Sequence, residues 1–195
     1  TENNGDTIDT GSVSVYHYVN NQWERLGNKI YGREKYHRTG TSLALNGVGN
    51  SVLIGGLHSS GHKVFTYSQN TSNWSKKGND IVLSGNDLIN ISVDSSEDGN
   101  IIAISECYEL NGIIYGKTTI LSFDIISNTW ITRGQTIDNQ VSNDEDSLCI
   151  SMNSDGSIIA IGSILYDTNT EENIGCVRIF IFDGNQWQQN GTTIE

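Results

Sequence analysis

The stretch Trp74-Ser75-Lys76-Lys77-Gly78-Asn79-Asp80-Ile81 reads as Trp, three residues, Gly, two residues, Ile. The same pattern occurs at Trp23–Gly27–Ile30, Trp130–Gly134–Ile137 and Trp187–Gly191–Ile194. The four copies use all 4 tryptophans of the 195-residue chain and recur every 51 to 57 residues. Each follows an alternating apolar segment and a polar turn. A unit of that period marks a repeat architecture. Short Ile, Val and Leu runs bounded by Gly, Asn, Ser and Thr point to strands rather than helices. Together they predict an all-β fold, a β-propeller of four-stranded antiparallel blades.

The strands follow in a fixed order. Val13–Tyr18 and the strand from Trp23 form a hairpin, the outer half of a blade. Then come an inner strand (Ser42–Leu45), a turn, a second strand (Ser51–Gly55), a third (Lys63–Tyr67) and a fourth from Trp74. The next round uses Asn90–Val93, Asn100–Ser105, Thr118–Phe123 and the strand from Trp130. The last uses Cys149–Met152, Ser157–Gly162, Cys176–Phe182 and the strand from Trp187. The turns Val48-Gly49-Asn50, Asp98-Gly99-Asn100 and Asp155-Gly156-Ser157 place Gly where a hairpin needs positive φ. This divides the chain into a half blade (1–40) and three blades (41–88, 89–146, 147–195). Three and a half blades do not close a ring. The expectation is a segment of a longer polypeptide, or a circle completed by another chain. The polar residues 1–11 read as the tail of a connecting loop. Four tryptophans at one repeat phase read as core, each packed between adjacent blades and each costing about 3–5 kcal/mol if lost. Gly27, Gly78, Gly134 and Gly191 mark a bulge or a tight approach on the outer strand.

The net charge is −12. It argues against a nucleic-acid binder and for a self-repelling surface. No apolar run is long enough for a transmembrane helix, and no signal peptide is visible in a chain that starts at Thr1. Cys107, Cys149 and Cys176 lack a CxxC pair and read as small core hydrophobes on strands. The Asn- and Ile-heavy, Pro-free composition hints at an AT-rich genome, such as that of some large DNA viruses.

Ser51-Val-Leu-Ile-Gly-Gly56, with Val64-Phe-Thr-Tyr67 and Asn73-Trp74, resembles the kelch motif: a strand ending in Gly-Gly, then an aromatic, then Trp. Asn153-Ser-Asp-Gly-Ser-Ile-Ile-Ala-Ile-Gly162, with Val177-Arg-Ile-Phe180 and Trp187, is similar to the WD40-like propeller repeats of large surface proteins in algae, marine bacteria and their viruses. The resemblance implies a propeller and says little of activity, because propellers host binding, scaffolding and catalysis alike. The double Gly survives only at Gly55-Gly56. Its equivalents are Ser105-Glu106 and Gly162-Ser163.

Loops of unequal length are expected on one face: 31–41, 57–62, 82–88, 106–116, 138–147 and 163–175. Function concentrates on such loops. One of them gathers Lys29, Arg33, Lys35, Tyr36, His37 and Arg38 in an otherwise acidic chain, with His58 and His62 expected to project from the neighbouring connection. These are the candidate binding residues, for an anion, a glycan or an acidic partner. The default for such a loop is a solvated surface with weak ion pairs. A zinc site at His58 and His62 lacks further ligands. The acidic loop Asn143-Asp-Glu-Asp146 and the turn Asp94–Asp98 lack calcium-loop spacing. The Ser-x-Asp-x-Gly-x-x-Trp box of sialidase-type propellers lacks its Trp after Asp155-Gly156. Asn70, Asn73, Asn90 and Asn190 head Asn-x-Ser/Thr sites; those at Asn70 and Asn73 fall on a hairpin tip. No catalytic residue, metal site or cofactor is expected. The expected role is a structural or interaction module of a larger extracellular, cell-surface or virion assembly, with protein partners or further blades around it. A glycan-binding or glycoside-processing propeller is the alternative.

Overall fold

The computed structural model describes residues 8–32, 35–58, 61–68, 70–84, 88–138, 148–164 and 174–195. Seventeen strands and no helix occupy the described residues. The half blade consists of β1 (Ser12–Val13), β2 (Tyr16–Val19), β3 (Gln22–Arg25) and β4 (Ile30–Tyr31), with β2 paired to β3 and β1 to β4. The first full blade is β5 (Ser42–Leu45), β6 (Ser51–Gly55), β7 (His62–Ser68) and β8 (Asn73–Ile81). The second is β9 (Leu88–Ser95), β10 (Ile101–Leu110), β11 (Ile113–Asp124) and β12 (Thr129–Thr132), continued by β13 (Ile137–Asp138). The third is β14 (Leu148–Met152), β15 (Ile158–Ser163), β16 (Cys176–Phe182) and β17 (Trp187–Gln189). Every full blade is an antiparallel meander in sequence order. These are propeller-like blades set side by side.

Between neighbouring sheets lie three apolar clusters, one per junction. The first joins Val13 and Ile30 to Val52, Ile54 and Trp74. The second joins Leu53, Val64 and Ile81 to Ile91, Ile104 and Trp130. The third joins Ala103, Ile120 and Ile137 to Ile159, Phe180 and Trp187. Sheets buried on both faces need apolar residues at successive positions, as in the fully buried Ser51–Gly55. The innermost strands also bond across junctions. Ser42 Oγ accepts from the Val93 N–H (3.1 Å), and Ser92 Oγ accepts from the Ile150 N–H (3.2 Å).

The Trp–Gly–Ile pattern has one geometry throughout. Trp opens the outer strand and stacks on the aromatic opposite it: centroids are 5.4 Å apart for Tyr67–Trp74, 5.1 Å for Phe123–Trp130 and 5.2 Å for Phe182–Trp187. Four residues on, Gly bulges the strand at φ +75° (Gly27), +73° (Gly78) and +75° (Gly134). The bulge is where the next blade's indole rests. A methyl group on Gly27 would lie 2.9 Å from Trp74 Cδ1, and one on Gly78 or Gly134 would lie 3.0 Å from the Cδ1 of Trp130 or Trp187. Ile then rejoins the third strand, as in the pairs Val13–Ile30, His62–Ile81 and Thr118–Ile137.

Two hydrogen bonds, one from the indole and one from the backbone, lock each of the three later tryptophans to the preceding blade. Trp74 Nε1 donates to the Leu26 carbonyl (2.7 Å) and its backbone N–H to Asn28 Oδ1 (2.6 Å). Trp130 repeats this with the Lys77 carbonyl (3.1 Å) and Asn79 Oδ1 (2.8 Å). Trp187 does so with the Arg133 carbonyl (2.8 Å) and Gln135 Oε1 (2.8 Å).

Trp23 corrects the expectation of four core indoles. It is 69 % exposed, against 2–5 % for the other three. It stacks on Tyr18 at 5.3 Å, but no described residue offers it a bulged glycine. The expected loop at 106–116 is also corrected. β10 and β11 run on as a hairpin to a two-residue turn, Asn111 (φ 55°) and Gly112 (φ 77°). Both positive φ values fit the type I′ turn that Asn-Gly favours. Cys107 and Cys176 are buried as expected, whereas Cys149 is exposed: its neighbour Ile150 packs into the third junction, and strand alternation turns Cys149 to the other face of β14.

In dilute solution, Trp130→Ala is expected to lower the unfolding free energy by about 3–5 kcal/mol. Trp23→Ala should stay within about 0.5 kcal/mol of wild type. Urea unfolding followed by circular dichroism reads both, and equal losses would contradict the indole–glycine junction.

Candidate functional site

The basic segment is a strap rather than a free loop. Its backbone runs beside residues 8–10: the N–H groups of Tyr36, Arg38 and Thr39 donate to the carbonyls of Ile8, Asp9 and Thr10, each at 2.9 Å. Lys35, Tyr36 and Arg38 are exposed, with the Lys35 ammonium 4.9 Å from the Tyr36 ring. Arg33 lies outside the described residues. His37 points inward and is 3 % exposed. Its ring lies over Gly56, where a methyl group would come within 2.2 Å of His37 Cε1. The first glycine of the pair, Gly55, leaves room for Ile91, whose Cδ1 would be 2.9 Å from an added methyl. The Gly-Gly motif is thus needed for packing at this position.

The His37 tautomer follows from its partners. Nε2 lies 3.0 Å from the Gly61 carbonyl, which can only accept, so Nε2 carries the proton. Nδ1 lies 2.6 Å from Thr39 Oγ1 and accepts from that hydroxyl when the ring is neutral. Burial pushes the His37 pKa below its ordinary 6.5; the Gly61 bond opposes this, and Lys63, His62 and His58 reinforce it.

His62 was expected to project from its loop, and the structure corrects this. It is 1 % exposed and lies inside the junction of the first and second full blades, where Nε2 meets Glu106 Oε1 at 3.0 Å. Glu106 Oε2 accepts the Ser84 N–H at 3.0 Å. Glu106 stands where the first blade has Gly56, so the departure from the Gly-Gly pattern supplies a cross-blade clamp. Glu106 is not among the candidate residues of the sequence, although a carboxylate in place of a motif glycine signals it. His58 is half-buried, its ring 6.5 Å from His37.

A cavity of about 650 Å³ opens between the half blade and the first full blade. That is within the usual range for small-molecule sites. Ile54, Phe65 and Trp74 form its apolar wall, and Lys29, Lys63, Lys76 and Asp80 its charged rim. Lys76 pairs with Asp80 at 2.7 Å, and Lys29 lies 5.1 Å from the Tyr31 ring. Three ammonium groups against one carboxylate reverse the sign of this acidic protein locally. Of the residues named from sequence, only Lys29 and His37 line the cavity; Lys35, Tyr36, Arg38, His58 and His62 do not.

The turn carboxylates hold hairpins. Burial raises the pKa of Asp98, but hydrogen bonds from the Asn100 backbone, Ser96 and Asn100 side chains, with Lys77 nearby, bring it below the ordinary 3.8. Asp94 Oδ2 accepts the Met152 N–H at 2.6 Å across a blade junction. Among the described residues, no three His, Cys, Asp or Glu side chains converge as metal ligands. The acidic loop 143–146 lies outside them. Asn70 and Asn73 are exposed at the β7–β8 tip, and Asn190 is exposed beside β17.

No protein-family model matches the chain, and no curated protein matches it in sequence. Solved structures do match its fold. The chain is similar to hydrazine synthase of Kuenenia stuttgartiensis, with 14 % identity, a TM-score of 0.56, and coverage of 93 % of this chain and 48 % of that one. It is similar to a protein from Lactobacillus plantarum at 12 % identity and a TM-score of 0.54, covering 94 % and 49 %. TolB of Acinetobacter baumannii, at 11 % identity, 0.40, 90 % and 40 %, is too distant to carry weight. The chain therefore spans about half the length of the structures it matches. At these identities the likeness concerns fold alone. Together with the meander sheets it shows an all-β fold of antiparallel blades.

The pH dependence follows from His37. Its folded pKa lies below the unfolded value of 6.5. Its contribution to stability is complete above 6.5 and is lost as pH falls through the folded value, because the unfolded chain binds the proton more readily. Urea midpoints for wild type should therefore fall from about pH 7.5 to about pH 5, on either side of the ordinary histidine value. His37→Gln should flatten that slope, and an unchanged slope would remove His37 as the cause.

Proposed function

We propose that the chain is a non-catalytic β-propeller module of kelch-like repeats, a scaffold for protein contacts within a larger cell-surface or virion assembly. The observation that carries this is the use made of its reactive side chains. His37, His62, Glu106, Asp94 and Asp98 are tied into blade junctions and turns. Acid–base catalysis needs such groups facing a substrate, and a glycosidase needs two opposed carboxyl groups. Exposed Asn70 and Asn73 at a hairpin tip suit a secreted or surface setting. The measurement is hydrolysis of 4-nitrophenyl glycosides across pH 4–8. The scaffold reading expects rates equal to buffer, and saturable turnover would overturn it.

The cavity favours a second reading, binding of an acidic oligosaccharide. An aromatic and apolar wall beside Lys29, Lys63 and Lys76 suits a sugar ring bearing a carboxylate or sulfate. Isothermal titration with a uronic-acid oligosaccharide is expected to show binding that weakens with salt. The double change Lys63→Ala with Lys76→Ala should reduce it about tenfold or more, as loss of two charged hydrogen bonds implies. Binding unaffected by that change would place the sugar elsewhere.

A further inference from the structure

Gly191 has the geometry of the three indole seats, and among the described residues no side chain fills it. Its φ is +78°, matching +75°, +73° and +75° at Gly27, Gly78 and Gly134. A methyl group on any of those three meets an indole within about 3 Å, whereas one on Gly191 meets no described residue within 4 Å. The acceptor beside it is also in place. The Leu26 and Arg133 carbonyls that receive indole N–H groups belong to residues whose own N–H bonds the third strand, to Val15 and Ile120 at 2.8 Å. The Asn190 N–H bonds Ile179 in the same way at 2.8 Å. Where Asn28, Asn79 and Gln135 offer a side-chain oxygen, Thr192 offers a hydroxyl. Ile194 pairs with Val177, as Ile30 pairs with Val13 and Ile137 with Thr118. It is nevertheless 56 % exposed, against 5 % for Ile30 and Ile137, which a following blade covers.

The matching plug is at the other end of the same fold. Trp23 is 69 % exposed and is held against Tyr18 at 5.3 Å and 59°, the arrangement of Tyr67–Trp74 at 5.4 Å and 52°. Neither its indole nor its backbone N–H has a described acceptor of the kind serving Trp74, Trp130 and Trp187.

We propose that Trp23 of one copy docks on Gly191 of a second copy, with its indole N–H donating to the Asn190 carbonyl and Ile194 covered by the incoming hairpin. The three internal junctions specify this occupant: what fits the seat is an aromatic–Trp hairpin, and the chain exposes one. Two copies have about the length of each solved structure that this chain half covers. The contact is head to tail, so it closes into a ring or extends into a chain. It follows from the fold, whatever the module carries.

The test uses the 195-residue chain and two variants, Trp23→Ala, which keeps the seat, and Gly191→Val, which keeps the plug. Circular dichroism checks that each is folded. In sedimentation velocity from about 1 to 200 µM, a span covering micromolar affinities, wild type is expected to associate beyond the monomer, with blue-shifted tryptophan emission. Each variant alone should remain monomeric. Their equimolar mixture should form one-to-one dimers and nothing larger, since only one junction is left. Wild type that stays monomeric throughout would overturn the proposal and leave the seat to a further blade of a longer polypeptide or to another protein. So would variants that assemble alone as well as wild type, or a mixture that does not combine.

Discussion

An indole resting on a bulged glycine of the neighbouring sheet is the contact on which this architecture depends. It couples apolar burial with two directed hydrogen bonds, so it sets both the spacing and the angle between sheets. The bulge itself requires positive φ, and the absence of a Cβ is what lets the ring approach. Trp74, Trp130 and Trp187 satisfy these conditions with nearly identical bonds. Each sheet is thin and has little core of its own. Its apolar surface is buried only against its neighbours, as the one-cluster-per-junction pattern shows.

A repeated junction leaves individuality to the positions that break the repeat. Glu106 replaces a motif glycine and meets His62 across a junction. His37 comes from the irregular strap and fills the space left by Gly56. Where the half blade meets the first full blade, the packing is looser and the 650 Å³ cavity collects lysines. The same basic segment thus serves two ends. Its histidine is spent on packing, and its exposed cations, with those of β7 and β8, define the electropositive surface of an acidic protein.

Much of the fold was legible in the chain. The Trp–Gly–Ile spacing, the Gly-containing inner turns and the alternating apolar segments locate the strands of the three full blades to within about two residues, apart from the shared end of β10 and β11, because each depends on local periodicity and turn chemistry. The β10–β11 hairpin was misread as a loop although Asn111-Gly112 is a strong turn signal. Its flanking strand residues, Glu106 to Leu110, do not alternate clearly. The candidate site was less legible. Arg33, Lys35, His37 and Arg38 are basic and share one stretch of chain with Tyr36, and His58 and His62 follow on the next connection, but sequence does not say which side chains turn inward. The cavity draws Lys63 and Lys76 from separate strands of the first full blade, and no local pattern joins them to Lys29.

The amino-acid sequence by itself determined the repeat, the strand order within each sheet and the glycine that each indole requires, since these are set by short-range sterics and hydrophobic period. Tertiary structure alone decided which copies of the motif are buried. Trp23 and Trp187 have the same local sequence logic, yet one lies in solvent and the other is 2 % exposed. Among the described residues a sheet packs against Trp187 and none packs against Trp23, and burial is a property of neighbours rather than of residues.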